Sequence, residues 1–234
     1  MPLNNTSRPK WLTFDCYGTL IQWDEGLKDI AAQILEVKGD HSVDVDRLIQ
    51  VYDRHEHRLE QIPPYRSFRE LSTLGLQLAL EELGLPSSAG DSLQLAGAIA
   101  KMQPFPEVIE TLARLKAMGF KLCIVSNTDD DIIAGNVAQL GGHIDRVITA
   151  QQAGAYKPNP RLFDYAHQQL GVSRDEVVHI CASPTLDHTA ARDMQFRCVW
   201  IDRGTGRQLL PDYQPDAVLS TLDQVVPLFE SLGW

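Results

Sequence analysis

The chain reads as an α/β fold, a doubly wound parallel sheet with a block of helices inserted after the first strand. Three observations predict it. Short apolar runs recur along the 234 residues, each followed by a polar turn and then a helical pattern. One long interval, residues 23–103, carries helical periodicity alone. Polar clusters stand at four of the points where an apolar run hands over to a helix.

The first apolar run, Trp11-Leu12-Thr13-Phe14, ends at Asp15 and turns at once through Cys16-Tyr17-Gly18-Thr19-Leu20. A buried strand that ends in a carboxylate and then turns through glycine aims that acid out of the sheet. Such a charge needs a partner, because burying it alone costs several kcal/mol or more. The plain alternative for Asp15 is a turn or cap residue. Further strand candidates are 122–125, 147–148, 177–181, 198–201 and 217–219, alternating with helical stretches at 107–118, 130–140, 160–170, 185–194 and 222–232. Right-handed crossovers place all the strand C-termini on one edge, where ligands bind in such sheets.

Between 23 and 103 four helices are expected. Leu27, Ile30, Ala31, Ile34 and Leu35 mark the first, and Val45, Leu48, Ile49 and Tyr52 the second. Leu71, Leu74, Leu78 and Leu83 mark a third, and Leu93, Leu95, Ile99 and Met102 a fourth. Gly39, Pro63-Pro64 and Pro86 punctuate them, and Gln103-Pro104-Phe105-Pro106 marks the return to the sheet. The domain expectation is therefore a core of residues 1–22 and 104–234 with a helical cap of 23–103 over the strand tips.

Composition narrows the function classes. A 44% hydrophobic and 22% charged chain is ordinary for a globular protein, and a net charge of −10 argues against nucleic acid as partner. The polar first ten residues and the shortness of every apolar run predict a cytoplasmic protein with no membrane partner. Cys123, Cys181 and Cys198 sit in apolar runs and read as small buried hydrophobes, while Cys16 reads as cleft wall rather than nucleophile. His55 and His57 lie two apart on one helix and so do not share a face for a metal.

The polar tips supply the candidate site. They are Asp15 with Tyr17 and Thr19, then Ser126-Asn127 followed by Asp129-Asp130-Asp131, then Lys157 between Tyr156 and Pro158, and last Ala182-Ser183-Pro184 with Asp187 and His188. Each precedes a helix and offers N–H groups to an anion. Ser126 or Asn127 also reads as a helix N-cap, and the Asp129–Asp131 triplet as first-turn acids favoured by the helix dipole.

On these residues the chain resembles the haloacid dehalogenase superfamily across essentially its whole length. Asp15 matches motif one, Ser126-Asn127 motif two, Lys157 motif three and Asp187 motif four. The run Asp-Cys-Tyr-Gly-Thr-Leu, with Tyr17 where phosphatase members carry a second Asp, is similar to the 2-haloacid dehalogenase branch. The resemblance implies a Rossmann-like core in which Asp15 attacks a substrate carbon and forms an ester that water hydrolyses. It implies Lys157 as charge partner of Asp15, and Asp187 as the acid that orients or activates water. Thr19, Ser126, Asn127 and Ser183 become a polar cradle, with Tyr17 and Trp23 as walls. The expected substrate is a small (S)-2-haloacid, with no cofactor and no metal. Members of the family often pair as homodimers.

Two positions bear on the leaving group. A phosphatase needs an acid near Tyr17 to protonate an alkoxide and another in motif four for Mg²⁺, where Ala182 stands. A halide needs neither. Departures from the dehalogenases also exist. Their motif four usually reads Ser-Ser-Asn rather than Ala182-Ser183-Pro184, and their early cap arginine falls near Ile49, flanked by Arg47 and Arg54. Arg54 is taken as the cap's substrate contact. Alternative readings are ring opening of an azetidine-2-carboxylate type of substrate, phosphate ester hydrolysis, and a non-catalytic binding member.

Overall fold

The computed structural model describes residue 3 and residues 6–39 and 42–234. Six parallel strands form one sheet: β1 Trp11–Phe14, β2 Lys121–Ser126, β3 Arg146–Thr149, β4 Val177–Cys181, β5 Arg197–Ile201 and β6 Ala217–Leu219. Their spatial order is β3-β2-β1-β4-β5-β6. The order reverses direction at β1, whose neighbours are β2 and β4. That reversal opens a crevice at the strand C-termini.

The sheet is buried on both sides. Leu12, Phe14, Leu122, Ile124, Val178, Ile180, Val199 and Ile201 join one apolar cluster. Cys123, Val125, Ile148, Cys181 and Cys198 join another. Alternate side chains of β2, β4 and β5 thus feed opposite faces, as period two requires.

Among the described residues four helices of the insertion follow β1: α1 Trp23–Lys38, α2 Val45–Glu60, α3 Phe68–Glu82 and α4 Ala89–Ile99. All four sequence-derived helices exist, and Gly39 ends α1 in the left-handed conformation. Ser67 and Ser88 start α3 and α4 with capping boxes to Glu70 and Asp91. One expected core position fails: Leu93 is 73% exposed, while Leu95, Ile99 and Met102 are buried. Leu93 lies on the far side of α4 from Leu95 and Ile99, which share the inward face.

The remaining helices are α5 Val108–Ala117, α6 Asp130–Val137, α7 Ala150–Ala153, α8 Pro160–Leu170, α9 Thr189–Met194 and α10 Val225–Ser231. The expected helix over 185–194 divides. Pro184–His188 forms a wide π-helical turn ahead of α9. Pro184 has no N–H to donate, and the turn lets Asp187 face inward, fully buried. Lys157 follows α7 rather than a strand directly, since α7 intervenes between β3 and the Tyr156-Lys157 segment. Among the described residues no helix is long and apolar enough to cross a membrane.

Candidate active site

Asp15 leaves the end of β1 with its N–H still bonded to the Ile180 carbonyl at 3.0 Å, so the sheet holds its backbone. The chain then loops tightly, with Leu20 and Ile21 N–H both donating to the Cys16 carbonyl. Gly18, at φ +82°, makes that loop without strain. The loop returns Thr19 Oγ1 to donate to Asp15 Oδ2 at 2.8 Å. Thr19 Oγ1 in turn accepts from the Ala182 N–H at 2.9 Å, tying β1 to the end of β4.

Lys157 completes the centre. Its Nζ lies 3.0 Å from Asp15 Oδ1 and 2.7 Å from Asp187 Oδ1. Lys157 and Asp187 are wholly buried and Asp15 is 8% exposed. Burial pulls the Lys157 pKa down, yet the Asp15 and Asp187 charges overcome it and raise it well above its ordinary value. Burial would raise Asp187 too, but Lys157 and His179 hold it at about 2. At Asp15 burial wins, so its pKa rises despite Lys157, with Asp187 adding to the rise. One ammonium thus serves two carboxylates.

Asp187 uses one oxygen for Lys157 and for His179 Nε2 at 3.0 Å, leaving Oδ2 buried with no partner. His179 bonds Thr13 Oγ1 through Nδ1 at 2.8 Å. The polar chain Thr13–His179–Asp187 was not singled out from sequence. A histidine inside Val177-Val178-His179-Ile180-Cys181 was the available signal.

A cavity of about 270 Å³ opens above Asp15. Tyr17, Gly18, Trp23, Ser126, Asn127 and Ser183 line it as the motifs imply. The Tyr17 and Trp23 rings meet at 5.0 Å, and Tyr17 Oη turns away to donate to Asn136 Oδ1 at 2.9 Å. Ser126 Oγ is buried without a partner. Asn127 is a strut as well as a wall: Oδ1 accepts from the Lys157 N–H at 2.7 Å and Nδ2 donates to Glu60 at 3.2 Å. Neither Ser126 nor Asn127 caps α6, because Asp129 occupies the N-cap position. Cys16 is fully buried in the core and does not line the cavity, unlike the wall expected from sequence.

The cap contributes a wall that sequence reading did not find. Asp53, Glu56, His57 and Glu60 line the cavity from one face of α2, together with Phe68. Arg54 does not reach it. One residue past Asp53 lies about 100° further round the helix, and there Arg54 pairs with Glu82 with its side chain 55% exposed. Arg47 bonds Gln50 at 2.7 Å on the exposed surface. His55 likewise turns to Glu82 while His57 faces the cavity, so the two do split between faces.

The cation that does line the cavity is Arg207, from the turn-rich segment after β5. Both its terminal nitrogens donate to Asp24 at 2.9 Å. Its neighbour Arg203 stacks 3.7 Å from the Phe105 ring centre and donates to the Thr19 carbonyl at 2.6 Å. The acid triplet lies elsewhere than in the cavity wall. Asp129 accepts from the Phe68 and Arg69 N–H at 2.9 Å, and Asp131 pairs with Arg69 at 2.6 Å, so both fasten cap to core. Asp130 accepts from Thr149 at 2.6 Å.

Among the described residues two groups of buried donors each gather within 4.8 Å: His179 with Cys181 and Asp187, and Cys181 with His188 and Cys198. The Lys157 ammonium occupies the point where Asp15 and Asp187 converge. One ammonium offsets the charge of one of the two carboxylates.

The sequence profile of the haloacid dehalogenase-like hydrolases matches residues 9–194. The chain belongs to that family. An (S)-2-haloacid dehalogenase of Pseudomonas sp. (strain YL) is 29% identical over 232 residues, covering 95% of both chains. A glyceraldehyde 3-phosphate phosphatase of Methanocaldococcus jannaschii is 28% identical over 136 residues, 57% of this chain and 60% of the relative. Among solved structures, an L-2-haloacid dehalogenase from Xanthobacter autotrophicus with chloropropionic acid covalently bound superposes with a TM-score of 0.81 at 20% identity. That match covers 95% of this chain and 98% of the other. As a haloacid dehalogenase-like hydrolase the chain has the parallel sheet and helical cap its motifs imply.

Proposed function

We propose that this hydrolase displaces a leaving group from C2 of a small 2-substituted carboxylic acid, an (S)-2-haloacid in the first instance, through an ester on Asp15. The observation that carries it is the buried Asp15–Lys157–Asp187 triad, with Thr19 and Lys157 each holding one Asp15 oxygen. The (S)-2-haloacid dehalogenases among its relatives agree.

Asp15 attacks C2, the C2–halogen bond breaks with its electron pair, and halide leaves. Lys157 and Thr19 fix the carboxylate against rotation, which converts a poor nucleophile into an oriented one. Asp187, ionised at about 2, accepts a hydrogen bond from water through its free Oδ2 and aims that water at the Asp15 carboxyl carbon. The water's oxygen joins that carbon, the ester bond breaks, and a 2-hydroxy acid departs. Arg207, Ser126 and the N–H groups near Asn127 and Ser183 receive the substrate carboxylate, with Tyr17 and Trp23 as walls. Residues 23–103 act as the cap domain on a core of 1–22 and 104–234, opening and closing over the site.

The acid wall on α2 favours one further reading, in which the substrate carries a protonated ring nitrogen that leaves as a neutral amine, as in ring opening of azetidine-2-carboxylate. A panel of 2-bromopropionate enantiomers, azetidine-2-carboxylate and an aryl phosphate, run beside Asp15→Asn, separates the readings. Halide release by the wild type from the (S)-enantiomer, lost in the variant, supports the proposal. Release of phosphate alone overturns it.

A further inference from the structure

Cys181 at the end of β4 and Cys198 on β5 pack on the same face of the sheet, and their sulfurs stand 3.4 Å apart. His188 closes the wide turn after β4 and brings its ring to the pair, so that one ligand atom of each residue lies within 4.8 Å of the others. All three residues are fully buried. A second observation sets His188 apart. Its ring reaches the Cys198 sulfur, yet neither ring nitrogen makes a well-formed hydrogen bond. Enclosing an imidazole in that state is unfavourable, and a buried nitrogen lone pair without a donor is what a cation takes.

Two other readings of the cluster fail on geometry. The neighbouring set of His179, Cys181 and Asp187 has no free donors to gather an ion: His179 is held by Thr13 and Asp187, and Asp187 by Lys157, at 2.7–3.0 Å. A disulfide between Cys181 and Cys198 does not suit the strands. Cys198 is in register with His179, two residues before Cys181. With strands about 4.8 Å apart and a rise of about 3.3 Å per residue, the two Cα atoms are about 8 Å apart. A disulfide spans less than about 7 Å. Two sulfurs bound to one tetrahedral zinc at about 2.3 Å stand about 3.8 Å apart, close to the 3.4 Å between these two.

We propose that Cys181, Cys198 and His188 form a site for a thiophilic divalent cation such as zinc, which clips together the two ends of the turn that carries Asp187. Cys181 precedes that turn and His188 ends it. The Tyr213 hydroxyl, which lies against Cys198, supplies the fourth position. Binding balances in charge: both thiols ionise, two protons pass to solvent, and two thiolates with a neutral imidazole cancel the charge of the ion. A neutral centre suits a dry interior, and sulfur donors select zinc over magnesium. A cavity of about 690 Å³, lined by Tyr213, Ala191 and Phe196, opens beside the cluster. The ester chemistry at Asp15 does not use the ion.

The test titrates purified, reduced protein with zinc and with cobalt. One equivalent is expected per chain, with thiolate-to-cobalt charge-transfer absorption and the d–d bands of a tetrahedral ion. X-ray absorption of the zinc-loaded wild type is expected to show two sulfurs at about 2.3 Å and an imidazole nitrogen at about 2.0 Å; this arm needs no variant to fold. Cys198→Ser is expected to weaken binding about 100-fold or more, since losing a group that only supports a ligand already costs about 10–100-fold. Cys123→Ser is expected to leave it unchanged. Zinc at about a hundredfold excess over Kd is expected to raise Tm by roughly 5–10 °C and to slow amide exchange over residues 183–189. A coordination shell of nitrogen and oxygen alone overturns the proposal, as does zinc uptake indifferent to Cys198→Ser. A Cys181–Cys198 disulfide in peptide maps of the unreduced protein overturns it too, and so does bound zinc that leaves exchange over 183–189 unmoved. None of these outcomes depends on whether Asp15 is esterified.

Discussion

The floor and the roof of the cavity both carry buried carboxylates, yet only the floor places an ammonium between them. On the floor Asp15 and Asp187 share the Lys157 ammonium, and Asp187 is held at about 2. On the roof Glu56 and Glu60 face each other without such a cation, and burial lifts Glu56 to about 7. Residue type therefore says little about protonation. Burial and partner compete: Lys157 and His179 prevail at Asp187, while burial prevails at Asp15 and at the roof glutamates.

The floor breaks first. Asp15→Asn is expected to lower kcat by a factor of about 10⁴ or more, since the attacking oxygen is gone, measured by halide release. Lys157→Ala leaves Asp15 and Asp187 uncompensated in a buried site. It is expected to cost about 3–5 kcal/mol of stability by urea denaturation, besides abolishing turnover.

Glu56 on the roof responds to pH with the opposite sign from Asp187 on the floor. Glu56 binds its proton more tightly folded than unfolded, so its stabilising contribution is whole below about 4.5 and fades as pH rises to about 7. Asp187, held low, contributes above its unfolded value and loses that contribution as pH falls toward about 2. Glu56→Gln is accordingly expected to flatten the decline of Tm between pH 5 and 8 and to gain on the order of 1–3 kcal/mol at pH 8. A Tm series across pH for wild type and variant checks it.

Two arginines sharpen the contrast at smaller scale. Arg207→Ala is expected to raise KM about 10–100-fold, the loss of one charged hydrogen bond to a carboxylate. Arg54→Ala, which loses only an exposed pair with Glu82, is expected to change stability by under about 1 kcal/mol and KM hardly at all. Steady-state kinetics on both variants decides whether the carboxylate is met by the loop or by α2.

The floor was legible in the sequence and the roof was not. Asp15, Thr19, Lys157 and Asp187 stand at strand tips or just beyond them, and a parallel sheet gathers its tips at one edge whatever the details of packing. The four cap helices were legible from apolar spacing. The polar face of α2 gave no signal in the sequence, because a charged helical face ordinarily meets water, whereas this one meets a cleft. Arg54 stood as the cap contact and Arg207 went unread for a related reason. Periodicity places helix residues, but in the irregular stretch from Asp202 to Gln208 only the fold reveals which side chain turns inward. Asp129 and Asp131 were read as local first-turn acids, yet their partners Phe68 and Arg69 lie some 60 residues away.

The central claim is that Asp15 carries the substrate as an ester. A single turnover in ¹⁸O-water, with enzyme in excess, followed by peptide mapping tests it most directly. The account predicts heavy oxygen in the peptide containing Asp15 and ordinary oxygen in the product of that first turnover. Heavy oxygen in the product with an unlabelled Asp15 peptide would contradict it.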